Sequence, residues 1–359
     1  MDSSAEKPRA LVSANADFWL VGGASLAAFT VFILFTDMAG VQLGNRPFYW
    51  AFYLSFMVND PHFAYSYLLF YRGFRARLAA PETERLSRLR LITAGLVVPI
   101  AMLCFLIFST LYPDPAYLNA ALVAMIFSVG WHYVKQGYGV LITLSLYEGV
   151  TYSAKEKRVL WINAYILWVY SWICGFIFGI HLLDPQGVQP QPHVAPTWFD
   201  KPALYGLVLT LPAAVTLIRH WLKTGGICAN AVIGYACAVY MWIMMPFISP
   251  AFMALIPLFH SLQYLPFVYK MKRGEYAAAA GRTLARGVAF AVAGVVLGAV
   301  FIEALPKYLD QQAAAGGAEL PADFFFLMFL SFINIHHYFM DSAYWRRDND
   351  AVQRNLFRG

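Results

Sequence analysis

Charge is scarce in this chain. Asp, Glu, Lys and Arg make up 13% of its 359 residues, about half the roughly 25% found in an ordinary soluble domain. A soluble fold of this length would still need a charged surface, and so few charges cannot cover one. That excludes an ordinary water-soluble enzyme and makes lipid the expected solvent. Paired cysteines are missing as well: Cys104, Cys174, Cys228 and Cys237 lie in separate apolar stretches with no CxxC spacing. A disulfide or zinc framework is therefore excluded, and the four read as small core hydrophobes. The opening stretch, MDSSAEKPRALVSANADF, mixes acids with bases, and no small-residue cleavage site follows a short apolar region, so no cleaved signal peptide is expected. Neither a soluble domain nor an internal repeat stands out.

What fills the chain is apolar: 60% of it is hydrophobic and 17% aromatic. Runs of about 20 apolar residues, the length of a bilayer crossing, occur at 17–37, 48–71, 91–112, 117–147, 159–183, 203–219, 227–246, 250–269, 284–303 and 323–345. The fourth is long and holds Lys135, Gln136, Gly137 and Gly139 near its middle, which predicts a kink or an extension beyond the bilayer. The expected fold is all-α, a polytopic helical bundle with about ten transmembrane helices, because only helices or closed barrels span lipid and these runs are too long for barrel strands.

Basic residues alternate between rich and poor loops, with 22 on one side, 3 on the other (Arg46, Lys201, Lys307) and Lys135 inside a run. By the positive-inside rule both termini lie in the cytoplasm, as for a bacterial inner-membrane protein. The net charge of +6 is thus a topology signal and no nucleic-acid partner is expected. One transmembrane domain covers 1–359, with a cytoplasmic segment at 1–16, a Pro-rich outer loop at 184–202 and a basic tail at 346–359.

Polar groups at membrane depth are costly and mark function. They cluster in four runs, as Asn59, Asp60 and His62; His132, Lys135 and Gln136; His260, Ser261, Gln263 and Tyr264; and Asn334, His336, His337 and Asp341. Ten residues separate His62 from Arg72, His260 from Lys270 and His336 from Arg346, about 15 Å of helix and half of a roughly 30 Å hydrocarbon core. His132 reaches a similar depth from the other end of its run. The four histidines form one layer near the midplane, whereas His181, His193 and His220 fall at helix ends or in the outer loop.

Neutral imidazole is the commonest metal ligand, and several converging without cysteine suit iron, zinc or copper better than magnesium or calcium. Ligating histidines donate their other ring proton to a carboxylate, carbonyl or similar partner. Gln136, Tyr264 and Asp341 stand four residues after His132, His260 and His337 and supply candidates, and Asp60 precedes Pro61, where a kink would turn side chains inward. The Glu-x-x-His pairs of a di-iron bundle and the HxxxH pairs of desaturases are absent. The pattern left is a nearly all-histidine centre: His62, His132, His260 and His336 or His337 as metal ligands, with Asp60, Tyr264 and Asp341 as orienting or proton-handling groups.

In order, Pro61 with His62, Trp131 with His132 and Tyr133, Phe259 with His260 and Ser261, and His336 with Asp341 resemble the motifs of the Brp/Blh membrane proteins, which include bacterial beta-carotene dioxygenases. The resemblance covers about fifty residues in four patches. Tyr264 stands where that family has a second histidine, and the doubled His336 and His337 offer a replacement. The resemblance implies non-haem iron, O2 as co-substrate and an apolar polyene.

The expected function is a metal-dependent oxidoreductase, an oxygenase or dioxygenase that takes a lipid-soluble substrate such as a carotenoid, another isoprenoid or an acyl chain from the surrounding membrane lipids. Phe63, Tyr65, Trp131, Tyr133, Phe259 and Phe339 would line its path. Two other readings stay open: a proton- or metal-coupled transporter built on the same histidines and Asp60, and a single-haem electron-transfer protein with two axial histidines.

Overall fold

The structure is a computed structural model that describes residues 10–39, 46–80, 83–177, 201–247, 252, 255–277 and 283–357. Among them every regular element is helical. Helix α1 is assembled from Ala14–Phe18, Trp19–Gly23 and Ala24–Ala39, α2 is Arg46–Tyr71, α3 is Arg85–Leu111 and α4 is Pro115–Tyr147. Helix α5 is Ala154–Ile177, α6 is Pro202–Thr224, α7 is Ala229–Phe247 and α8 is Ile256–Ala277. Leu284–Ala315 forms α9 and Phe324–Tyr344 forms α10. Six of them (α3, α4, α6, α7, α9 and α10) are long and apolar enough to cross a membrane, so this is an integral membrane protein. Helices α2 and α8 carry Asn59, Asp60, His62, His260 and Gln263, which lowers their apolarity.

Local chemistry explains the longest rod. Asp114 accepts the Ala116 N–H at 2.8 Å and Pro115 opens α4, a side-chain cap followed by a residue whose fixed φ suits a first turn. Gly149, at φ 77°, follows its end in the left-handed conformation that glycine adopts without strain. Its 33 residues span about 50 Å, well beyond a hydrocarbon core of about 30 Å. The helix is continuous through Lys135 and Gly139. Gly137 serves contact instead: a methyl there would stand 2.5 Å from Ala238 Cβ on α7. Pro61 lies inside the helical run of α2.

Small residues set other crossings. A Cβ on Gly294 would meet the Tyr65 ring at 2.0 Å, and one on Gly298 would meet the Asp60 carbonyl carbon at 2.7 Å, so α9 lies directly on α2 in the manner of small-residue packing in lipid. Helix α4 packs on α10 and α7, and α2 packs on α8 and α10. Thus α2, α4, α8 and α10 share the interior.

The basic tail is built into the fold as Asp350–Val352 and Gln353–Phe357. Val352 and Leu356 are buried, and Tyr147 donates its hydroxyl to the Leu356 carbonyl at 2.5 Å. The Pro-rich loop through residue 200, with His181 and His193, and residues 1–9 of the N-terminal segment lie outside the described residues.

Candidate metal centre

His62 from α2, His132 from α4, His260 from α8 and His337 from α10 converge, all buried, with one nitrogen from each lying within 4.8 Å of the others. Their rings form a closed circuit of edge contacts. The centroid of His62 is 4.4 Å from His337 and 4.9 Å from His260, and that of His132 is 4.8 Å from His337 and 4.9 Å from His260. Around one ion with bonds of about 2.0–2.1 Å, ligand nitrogens sit about 3.4 Å apart in a tetrahedron and about 4 Å across a square. Shifts of under about 1 Å would close this set on an ion.

Six buried nitrogens in the circuit have no hydrogen-bond partner: Nε2 of His62, Nε2 of His132, and both ring nitrogens of His260 and His337. Leaving a buried polar group unpaired costs about 1–3 kcal/mol. Metal coordination satisfies such a set, and four neutral imidazoles without a thiolate suit iron, zinc or copper.

The surroundings assign a tautomer to His62. Ser261 donates its hydroxyl to Asn59 Oδ1 at 2.9 Å and stands 3.3 Å from His62 Nδ1. With its proton committed, Ser261 can only accept from Nδ1–H, which leaves the Nε2 lone pair free toward the other rings. Asp341 Oδ2 is 3.6 Å from His337 Nε2, beyond a hydrogen bond, and faces Ser66 and Tyr264, whose hydroxyls are 2.6 Å apart.

Two expected i, i+4 pairings are replaced by contacts between helices. Gln136 binds the His260 carbonyl and Gln263 Oε1, both at 3.1 Å, and so fixes the backbone of α8 and not the ring of His132. Tyr264 packs on His62 at 4.6 Å, while His260 lies on Tyr133 at 4.5 Å. The partner of the His132 ring is Tyr338, stacked at 4.5 Å and 23°, with its hydroxyl on Asn334 Oδ1 at 2.6 Å.

His336 does not join the circuit. Its Nε2 is 3.0 Å from the Ala94 carbonyl and its Nδ1 is 2.8 Å from the Tyr67 hydroxyl, so His337 alone of the doubled pair supplies the α10 nitrogen. Asp60 is not among the converging groups either and sits at the crossing with α9. Of the aromatic residues, Phe63 packs on His62 and His337. Tyr65 turns to Phe290 on α9, and Trp131 meets Phe339 and the Lys135 ammonium. Ser66, Tyr338 and Trp242, the last at 6.3 Å from His260, were not expected. Ser66 alone carried a signal, four residues after His62 on the same helix face. His220, buried, pairs with Glu156 at 3.0 Å and is structural.

Comparison with family models, with curated proteins and with solved structures gives no match.

Proposed function

We propose that this chain is a membrane-embedded oxygenase that uses non-haem iron and O2 to oxidise an apolar, lipid-soluble substrate of the carotenoid, isoprenoid or acyl class. The observation that carries this reading is the ring of four buried imidazoles with unpaired nitrogens. In this reading the chain crosses a bacterial inner membrane about ten times with both termini in the cytoplasm, and the substrate enters sideways from the bilayer.

His62, His132, His260 and His337 would hold the iron, which when bound supplies the one-electron chemistry with O2 that side chains alone lack. Ser261 and Asn59 keep the proton of His62 on Nδ1. Asp341, with Ser66 and Tyr264, forms a polar patch beside His337 that can take up or return a proton. Phe63, Tyr133 and Tyr338 wall the ring from water.

The test is elemental analysis of the detergent-purified protein beside a His62→Ala, His260→Ala double variant, followed by O2 uptake with a carotenoid series. Iron near one or two atoms per chain, lost in the variant, with substrate-dependent O2 uptake, supports the reading. Zinc or copper in place of iron would replace the redox assignment, and no metal in either folded protein would overturn it.

A further inference from the structure

We infer that Tyr67 and His336 form a redox-active pair, a place where one oxidising equivalent leaves the histidine ring and rests on a tyrosine. The pair itself stands on hydrogen-bond geometry; its oxidant rests on the oxygenase reading above.

The Ala94 carbonyl can only accept, so the His336 proton is on Nε2, 3.0 Å from it. Nδ1 is then a lone pair, and the Tyr67 hydroxyl 2.8 Å away donates to it. A phenol becomes a strong acid when it loses an electron, and it gives up that electron readily only if a base takes the proton at once. Other tyrosines at the ring are differently placed. Tyr338 donates to the amide oxygen of Asn334, and Tyr264 shares its hydroxyl with Ser66 and the Asp341 carboxyl group. Tyr67 instead has its hydroxyl 2.8 Å from an imidazole nitrogen that can take its proton, whereas Tyr71 meets the other, protonated nitrogen of His336 at 3.4 Å and gives its own proton to the Gly95 carbonyl.

The surroundings fit this assignment. Residues Thr93–Val97 of α3 form a π-helical turn, a type of distortion frequent at functional sites. That turn presents the Ala94 carbonyl to His336 and the Gly95 carbonyl to Tyr71 at 2.8 Å. A path of rings connects the pair to the metal ligands: Phe63 lies 5.1 Å from His337 and packs in one cluster with Tyr67, one turn along α2. Beyond Tyr67, the ring of Tyr71 follows at 6.2 Å and 21° and is 38% exposed.

The step balances as follows. Tyr67 gives one electron, through Phe63, to a one-electron oxidant formed from O2 at the metal. Its phenolic proton passes to Nδ1 of His336, leaving a phenoxyl radical beside an imidazolium whose Nε2–H still donates to Ala94. A reductant of the ascorbate or quinol class, arriving at Tyr71, returns one electron, and Nδ1 returns the proton. The pair would thus drain the metal site when O2 is activated without substrate, sparing the imidazoles.

The experiment uses the full-length, metal-free protein in detergent, oxidised by a flash-excited ruthenium polypyridyl with a sacrificial acceptor and followed by electron paramagnetic resonance. A tyrosyl signal that Tyr67→Phe removes and Tyr264→Phe retains is expected, with a nitrogen hyperfine coupling that responds to nitrogen-15 histidine and disappears in His336→Leu. Fluorotyrosine at position 67, which leaves the fold intact, should alter the splitting of the same signal. A signal unchanged by Tyr67→Phe and by fluorotyrosine overturns the pair. A second arm exposes iron-loaded protein to O2 without substrate. The same radical there supports the oxidant as well; its absence, with the flash signal present, counts against the oxygenase reading and leaves the pair standing.

Discussion

His336 and His337 are neighbours in sequence and face different partners: His337 closes the imidazole ring against His62 at 4.4 Å, while His336 binds the Ala94 carbonyl at 3.0 Å. Consecutive residues on a helix point about 100° apart, so α10 divides two chemistries between adjacent side chains.

The division predicts unequal outcomes for the two substitutions. His337→Ala should lower metal per chain to background, whereas His336→Gln, which keeps an amide donor and acceptor, should retain it. Elemental analysis of the two purified variants checks this, and metal loss in His336→Gln alone would reverse the assignment.

Ser261→Ala removes one acceptor of the His62 proton, the Asn59 carbonyl being the other. Losing a partner of this kind weakens metal binding about 10–100-fold. Competitive titration against a chelator of known affinity should show that drop, and the metal-free protein should also melt lower, because Asn59 Oδ1 loses its buried donor at a cost of about 1–3 kcal/mol.

Gly137→Val places carbon where α4 touches α7, since even a methyl would stand 2.5 Å from Ala238 Cβ. Overpacking of this kind costs about 1–3 kcal/mol. The thermal midpoint in detergent should fall, whereas Gly139→Ala, with open space around it, should not lower it.

Ser153 and Glu156 exchange hydrogen bonds, Ser153 N–H to Glu156 Oε2 at 2.7 Å and Glu156 N–H to Ser153 Oγ at 3.3 Å, a reciprocal cap at the start of α5. Burial pushes the Glu156 carboxyl up, but the bonds from Ser153 and the contact with His220 outweigh it and hold the group below its usual value. A carboxyl lowered in the folded state contributes stability above its unfolded pKa and loses it as pH falls through the folded one. Wild type should therefore lose stability relative to Glu156→Gln on acidification below about pH 4.5, the ordinary range of a glutamate. Ser153→Ala should cost about 1 kcal/mol near neutrality. Thermal melts of the three proteins across pH check both statements.

Much of the architecture was legible because lipid imposes one-dimensional rules: charge depletion and apolar runs of crossing length announce membrane helices before any folding is considered. The convergence of His62, His132 and His260 was foreshadowed by their common level, which rise per residue gives from the distance to a flanking basic residue or, for His132, to the end of its run. Rotation was not. The residues four apart that suggested Gln136 for His132 and Tyr264 for His260 lie on common helix faces, yet neighbouring helices present nearer partners, and the side chains follow those.

The amino-acid order by itself determined that the chain is helical and membrane-embedded, because length and apolarity act along a single segment. Only the tertiary structure decided that His337 and not His336 enters the ring, that Asp60 faces α9, and that Ser261 sets the tautomer of His62. Those outcomes depend on how far each helix turns about its own axis, and that angle is set where surfaces meet, at Gly137 against Ala238 and Gly298 against Asp60.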